Sequence, residues 1–414
     1  MKINCKKDFI KGEIFAPSSK SALIRYIAIS VLSHNPIKLK NVVHCDDSLR
    51  AADIIKTLGA SVKEAKGEMV IKPKFTDKKE VILNCGESAL CIRMFAPISC
   101  LKSSKFILNG CGSLKTRPMK MVKNALTQLG VQCSTNNGFL PIKKNGKIYK
   151  FNIKLDGSIT SQLLSGVLIT LPKCGQPSTI RIENPASLPY IKLTLSIMKQ
   201  FGVNVKNINY KRFEIEPNQQ YRGGEFTVEG DYSGAAFFLV MGALYGKVRV
   251  DNLLENSLQA DRAIVDILSK VGAKVKVGKD FVEVSKATLS PFTFNATNAP
   301  DLFPPLVALA SRIEGRSTIK GVNRLKDKES NRGRILTEEF VKFGVKIKVS
   351  DNKMEIWGNN KARITDCFSH NDHRIAMALA TASLKPKDKI SIKNSSCVNK
   401  SYPNFFAELN RLIN

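Results

Sequence analysis

The chain holds 414 residues, 43% of them apolar, with 65 Lys and Arg against 35 Asp and Glu and a formal charge of +30. That length exceeds one ordinary domain and supplies ample core, while no apolar run reaches the roughly 18 residues that a membrane span needs. The ten cysteines form no Cys-x-x-Cys pair and only four histidines accompany them, so no zinc pattern appears and Cys91 and Cys100 read as small reduced hydrophobes. The lysines are spread along the whole chain without an aromatic-interleaved cluster or a basic tail, which argues for ordinary solvated faces or small acidic molecules rather than nucleic acid. The opening residues lack the apolar block of a signal peptide, and a cytoplasmic location is expected.

Residues 2 to 15 alternate charged and apolar side chains, as a strand does, and are expected to complete the C-terminal half of the chain. SALIRYIAIS, from Ser21, is apolar almost all round, the mark of a helix buried on every side. A strand ending at Asn41 and an amphipathic helix stopping at Gly59 follow it. The same order returns with a buried helix from Ser88, a strand to Asn109 and a stop at Gly130. A third copy runs from Ser161 through Asn184 to Gly202, and the segment from Tyr221 to Glu229 reads as a crossover. The fourth copy has Ser233, Asn252 and Gly272, and the fifth has Asp301, Asn323 and Gly344. The sixth starts at Asp372, passes Asn394 and ends with NFFAELNRLIN.

The Asn positions are separated by 68, 75, 68, 71 and 71 residues and the Gly positions by 71, 72, 70 and 72. Registers in phase over the whole chain mean one repeated α/β unit, too long for a solenoid repeat. The fold expected is α/β, with two lobes of three repeated units around buried parallel helices. One lobe is expected over 16–228 and the other over 1–15 plus 229–414, with the active site in the cleft between them. Ser and Asp at the buried-helix starts are preferred N-caps. Helix N-termini present unpaired N–H groups and partial positive charge, so they bind phosphates and carboxylates. Lys20, Arg25, Arg93 and Arg374 lie within a turn of these starts, and the loops after the Asn strands add Arg117, Lys328, Arg332 and Lys400.

PSSKSALIR, NCGESALCIR, GSLKTRPM, DGSITSQLLSG, SLPYIKLTL, VEGDYSGAAFF, NAPD, KESNR, NDHRIAM and KSYPNFF stand in this order. Together they resemble the motif series of the 3-phosphoshikimate 1-carboxyvinyltransferase family over essentially the whole chain. The resemblance implies the inside-out barrel of enolpyruvyl transferases. It also implies transfer of the enolpyruvyl group of phosphoenolpyruvate to the 5-hydroxyl of shikimate 3-phosphate, in aromatic amino-acid biosynthesis. Lys20, Ala89, Arg117, Gln162, Arg332, Arg374 and Lys400 would surround phosphoenolpyruvate. Ser21, Arg25, Thr160, Ser161, Gln162, Ser187, Tyr190, Asp301 and Lys328 would hold shikimate 3-phosphate. Asp301 and Glu329 match the family's acid–base carboxylates, with Lys20 as a third proton carrier. No metal or cofactor is expected, and the chain is expected to act as a monomer.

Three positions depart from the family pattern. Thr160 replaces a serine but keeps the hydroxyl, and Asn331 replaces an acid beside Glu329. Ala89 stands where many members have Gly, and its methyl implies reduced sensitivity to glyphosate, which occupies that subsite in the family. No ligand role is carried over to Asn323 or Arg324. The competing enzyme is the sister transferase acting on UDP-N-acetylglucosamine, which has an essential cysteine shortly before an Arg-Pro; Cys111 lies six residues before Arg117. An RNA-end-processing protein of related repeat shape would want exposed aromatics or a basic stripe, and neither is visible in the sequence.

Overall fold

Glycine at a helix stop frees the backbone to turn left-handed, and that single requirement sets the rhythm of this chain. Gly59, Gly130, Gly202, Gly272 and Gly344 all have φ between 78° and 107°. A computed structural model describes residues 1–74, 78–158, 160–359, 366–384 and 389–414.

Among the described residues twelve α-helices form. They are α1 (Lys20–Ser30), α2 (Asp46–Thr57), α3 (Ala89–Ser99), α4 (Lys120–Gln128), α5 (Ser161–Thr170) and α6 (Leu188–Gln200). The series continues with α7 (Tyr232–Tyr245), α8 (Ala263–Lys270), α9 (Phe303–Arg312), α10 (Arg332–Val341), α11 (His373–Ala382) and α12 (Phe405–Ile413). Odd-numbered helices are the apolar ones, and every residue of α3, α9 and α11 is buried. Even-numbered helices cover them and keep one polar face in water.

The chain divides into two compact units, a continuous one, Lys20–Val228, and a split one, Met1–Ser19 with Glu229–Asn414. Within the continuous unit α3 packs on α1 and α5; within the split unit α7, α9 and α11 pack on one another. The α3–α5 approach depends on Gly166, because a Cβ there would lie 2.5 Å from the Met94 carbonyl oxygen.

Among the described residues each unit also carries three small sheets. In the second repeat Ser103–Asn109 pairs in parallel with Lys78–Asn84 and antiparallel with Phe139–Asn145, whose outer neighbour is Gln132–Asn136. Two repeats borrow their parallel edge strand: Gly224–Thr227 joins Ile37–Lys40, and Ile10–Phe15 joins Gly246–Asp251. In the sixth, Lys2–Asn4 pairs antiparallel with Lys389–Lys393, in the place that a repeat's own hairpin strand fills elsewhere.

Several local expectations shift by a residue or two. Asn41, Asn184, Asn252 and Asn394 take left-handed φ after their strands, but in the fifth repeat Gly321 does so and Asn323 lies in a 3-10 turn. The cap of α5 is Thr160 rather than Ser161, and that of α7 is Asp231 rather than Ser233. Asp301 caps nothing: it sits in the 3-10 turn Pro300–Leu302 ahead of α9. Its carboxylate is drawn instead to three cations from outside that turn.

Candidate active site

In the continuous unit the functional candidates gather where α1, α3, α5 and α6 begin. Arg25, on α1, is fully buried, and its Nε donates to Thr194 Oγ1 at 2.7 Å. Its Nη1 donates to the Ser21 carbonyl at 2.7 Å, and Nη2 reaches Ser165 Oγ at 3.3 Å and the Tyr190 carbonyl at 3.4 Å. One guanidinium thus ties α1 to α5 and α6, and burial pushes its pKa down to about 10. Lys20, at the first position of α1, pairs with Asp47 Oδ2 at 2.9 Å.

Ser88 caps α3 by accepting from the Cys91 amide, which places Ala89 as the first helical residue with its methyl buried. Arg93 Nη1 donates to Gln162 Oε1 at 3.0 Å, joining α3 to the first turn of α5. Thr160 Oγ1 accepts from the Gln162 amide at 3.2 Å, so the hydroxyl that replaces serine has a defined task. Ser161 is buried beside it. Ser187 takes a left-handed φ of 57° just before α6, with Tyr190 half-buried in its first turn.

Arg117 is buried and closes the 3-10 turn Gly112–Thr116. That turn is held by Glu87, whose carboxylate accepts from the Ser113 amide at 3.0 Å and the Ser113 hydroxyl at 2.9 Å.

In the split unit the candidates form one ionic cluster. Arg332, the first residue of α10, is 1% exposed. Its Nε and Nη2 grip Asp372 at 2.8 and 3.1 Å, Nη1 meets Asp301 at 2.9 Å, and Nη2 also binds Glu329. Asp301 further takes Arg374 Nη2 at 3.1 Å and Lys328 Nζ at 3.5 Å. Lys400 Nζ donates to the Asn371 carbonyl at 2.8 Å, just ahead of Asp372.

The charges explain the protonation states. Burial pushes the Asp301 carboxyl up, but Arg374, Lys328 and Arg332 outweigh it and hold it well below the usual carboxylate range. Burial alone would lower Arg332, yet Asp372, Glu329 and Asp301 keep it firmly protonated. Lys328 is pushed down by burial, with Asp301 opposing the shift. Arg332 has its fork fully occupied, whereas Arg374 keeps a buried Nη1 without a hydrogen-bond partner.

The structure therefore brings Asp301, Lys328, Glu329, Arg332 and Arg374 into one cluster, with Lys400 joined to the loop before α11. It brings Ser21, Arg25, Thr160, Ser161, Gln162 and Tyr190 onto adjoining helix starts in the other unit. Asp372 proves to be both the cap of α11 and the bidentate partner of Arg332, a pairing for which the Asp-His-Arg motif was the only cue. Asp47, Glu87 and Asp261 are acids that sequence reasoning passed over, because nothing in their local pattern separates them from solvated carboxylates.

The chain is similar to known proteins in sequence and in fold. The family model for EPSP synthase (3-phosphoshikimate 1-carboxyvinyltransferase) matches residues 5–409. The 3-phosphoshikimate 1-carboxyvinyltransferase of Pyrococcus abyssi is 37% identical over 407 residues, covering 98% of this chain and 96% of the relative. That of Clostridium novyi is 34% identical over 415 residues, covering 97% and 95%. Among solved structures, EPSP synthase from Acinetobacter baumannii superposes with a TM-score of 0.83 at 22% identity, over 99% of this chain and 98% of that one. The enolpyruvyl transferase NikO from Streptomyces tendae does so with 0.80 at 15% identity, over 99% and 96%. The structural likeness shows the shared fold, and the sequence match over nearly the full length shows descent: the chain belongs to the EPSP synthase family.

Proposed function

We propose that this chain transfers the 1-carboxyvinyl group of phosphoenolpyruvate to the 5-hydroxyl of shikimate 3-phosphate and releases phosphate, by addition and elimination through a tetrahedral intermediate. The hydroxyl oxygen bonds to the enol carbon while the methylene carbon gains a proton. Loss of phosphate and of a methyl proton then restores the double bond. Shikimate 3-phosphate is held by Ser21, Arg25, Thr160, Ser161, Gln162, Ser187 and Tyr190, with Asp301 and Lys328. Phosphoenolpyruvate is held by Lys20, Arg117, Gln162, Arg332, Arg374 and Lys400, beside Ala89. Both sets draw on residues 16–228 and on the segment 1–15 plus 229–414.

The observation that carries the residue roles is the setting of Asp301. An ionised carboxylate among three cations is a ready acceptor for the hydroxyl hydrogen bond. When the substrate anions draw cations away, its basicity rises and it can take the hydroxyl proton as the bond forms. Lys20 and Glu329 serve the methylene proton. The cationic side chains stabilise charge that builds on the departing phosphate.

We further propose that the chain works as a monomer in the cytoplasm, since both residue sets come from one chain. Light scattering should return a mass near 45.8 kDa. The decisive assay incubates the protein with shikimate 3-phosphate and phosphoenolpyruvate, without added metal, and follows phosphate release. Turnover with UDP-N-acetylglucosamine in place of shikimate 3-phosphate, or none with either acceptor, would overturn the assignment.

A further inference from the structure

Asp261 is a buried acid that the mechanism above does not use. It lies in the 3-10 turn Ala260–Arg262 and is 1% exposed. Gln259 fastens that turn to the entry of α7, accepting from the Tyr232 amide at 3.1 Å and donating to the Gly230 carbonyl at 2.7 Å. The carboxylate therefore cannot swing out to water. Its Oδ2 accepts from the Ser233 hydroxyl, and its Oδ1 has no hydrogen-bond partner. Around it stand Asp231 from the start of α7, Asp301 ahead of α9 and Arg374 from α11. Arg374 has the matching gap: Nη2 is on Asp301 while Nη1 has no partner.

A buried, unpaired carboxylate oxygen costs free energy unless it is neutral or balanced by a cation. The cation at hand is Arg374, which Asp301 also claims. We propose that Asp261 is a positioning residue for Arg374: when charged it competes with Asp301 and the substrate anion for the guanidinium, and when neutral it releases it. The proposal rests on Arg374 binding phosphoenolpyruvate, as assigned above.

The competition has a pH at which it turns. Burial first, and then the charge of Asp301, push the Asp261 carboxyl up to about 7, with Arg374 and the Ser233 hydroxyl opposing. Below that pH Asp261 is neutral and Arg374 is available to the anion. Above it the charged form draws Arg374 back, so the KM for phosphoenolpyruvate rises while that for shikimate 3-phosphate does not follow.

The test measures kcat/KM for phosphoenolpyruvate from about pH 6 to 9 at saturating shikimate 3-phosphate, in wild type, Asp261→Asn and Ser233→Ala. Wild type should lose up to about tenfold per pH unit above its inflection, as a single ionisation requires. Asp261→Asn should remove that limb. Ser233→Ala deletes a hydrogen bond to the charged form, so its inflection should move to higher pH; this arm stands if the asparagine variant does not fold. A wild-type limb that survives in Asp261→Asn, or an inflection in Ser233→Ala that stays or falls, overturns the proposal. Arg374→Gln separates the two ideas. If it leaves the KM for phosphoenolpyruvate unchanged, the reading of Arg374 fails; if it raises that KM while Asp261→Asn keeps the limb, only the role of Asp261 fails.

Discussion

Arg332 shares one guanidinium among Asp301, Glu329 and Asp372, and this sharing governs what single substitutions do to the cluster. Removing it leaves three carboxylates with too little countercharge. Arg332→Ala is expected to cost about 3–5 kcal/mol in denaturant unfolding, and Arg332→Lys should restore little, because an ammonium cannot span the three acids. Two aspartates of the neighbourhood should respond to pH with opposite sign. Asp301 is depressed in the folded state, so its stabilisation is present above its unfolded pKa of about 4 and is lost as pH falls below it. Asp261 is raised, so the folded state holds a proton that the unfolded chain has shed, and stability drains away between about pH 4 and 7. Thermal melts should accordingly show Asp301→Asn converging on wild type at low pH, and Asp261→Asn gaining on wild type as pH rises toward 7. At Ala89 the methyl fills space that glycine would leave. Ala89→Gly should increase inhibition by glyphosate, and equal inhibition of both proteins would dismiss the idea. Cys111 is exposed, yet it should be a bystander: Cys111→Ser is expected to keep nearly full activity, whereas an essential nucleophile would lose it.

Among the elements, the glycine stops were legible in sequence because each satisfies a local backbone demand that few other residues meet. The caps were less so. Ser161 and Ser233 looked like helix starts, but Thr160 and Asp231 accept the first amide hydrogens, a choice of one or two residues that only the backbone trajectory decides. Asp301 was singled out as an N-cap that breaks the repeat, but it caps nothing, and what sets its carboxylate apart is a group of cations. The reason lay beyond local reach: the cations that hold its carboxylate come from positions 27, 31 and 73 residues away. These differences have measurable consequences. Ser88→Ala and Thr160→Ala should each cost about 1 kcal/mol as lost caps. Gly166→Ala drives a methyl into the Met94 carbonyl and should cost about 1–3 kcal/mol by forcing α3 and α5 apart. Hydrogen exchange in α3 and α5 would register the loosening.

For the molecule as a whole, the repeat registers revealed the number of units, since six in-phase copies leave little freedom in fold class. The strands that close the sheets were another matter. Gly224–Thr227 joins Ile37–Lys40 across nearly the full span of one unit, and no periodicity announces which distant edge a strand will choose. That pairing lies wholly within Lys20–Val228, so a fragment of those residues should fold cooperatively on its own. Circular dichroism with a single thermal transition would support this, and a non-cooperative melt would refute it.

The split unit has a different history in time. Its strands at Lys2–Asn4 and Ile10–Phe15 are synthesised hundreds of residues before their partners at Lys389–Lys393 and Gly246–Asp251. The continuous unit can be finished during that interval. The opening segment cannot: it must wait with open backbone edges until the far end of the chain arrives. Translation thus makes these early strands the last to be seated, and a chain truncated at Val228 and released would carry one folded unit with both strands unpaired.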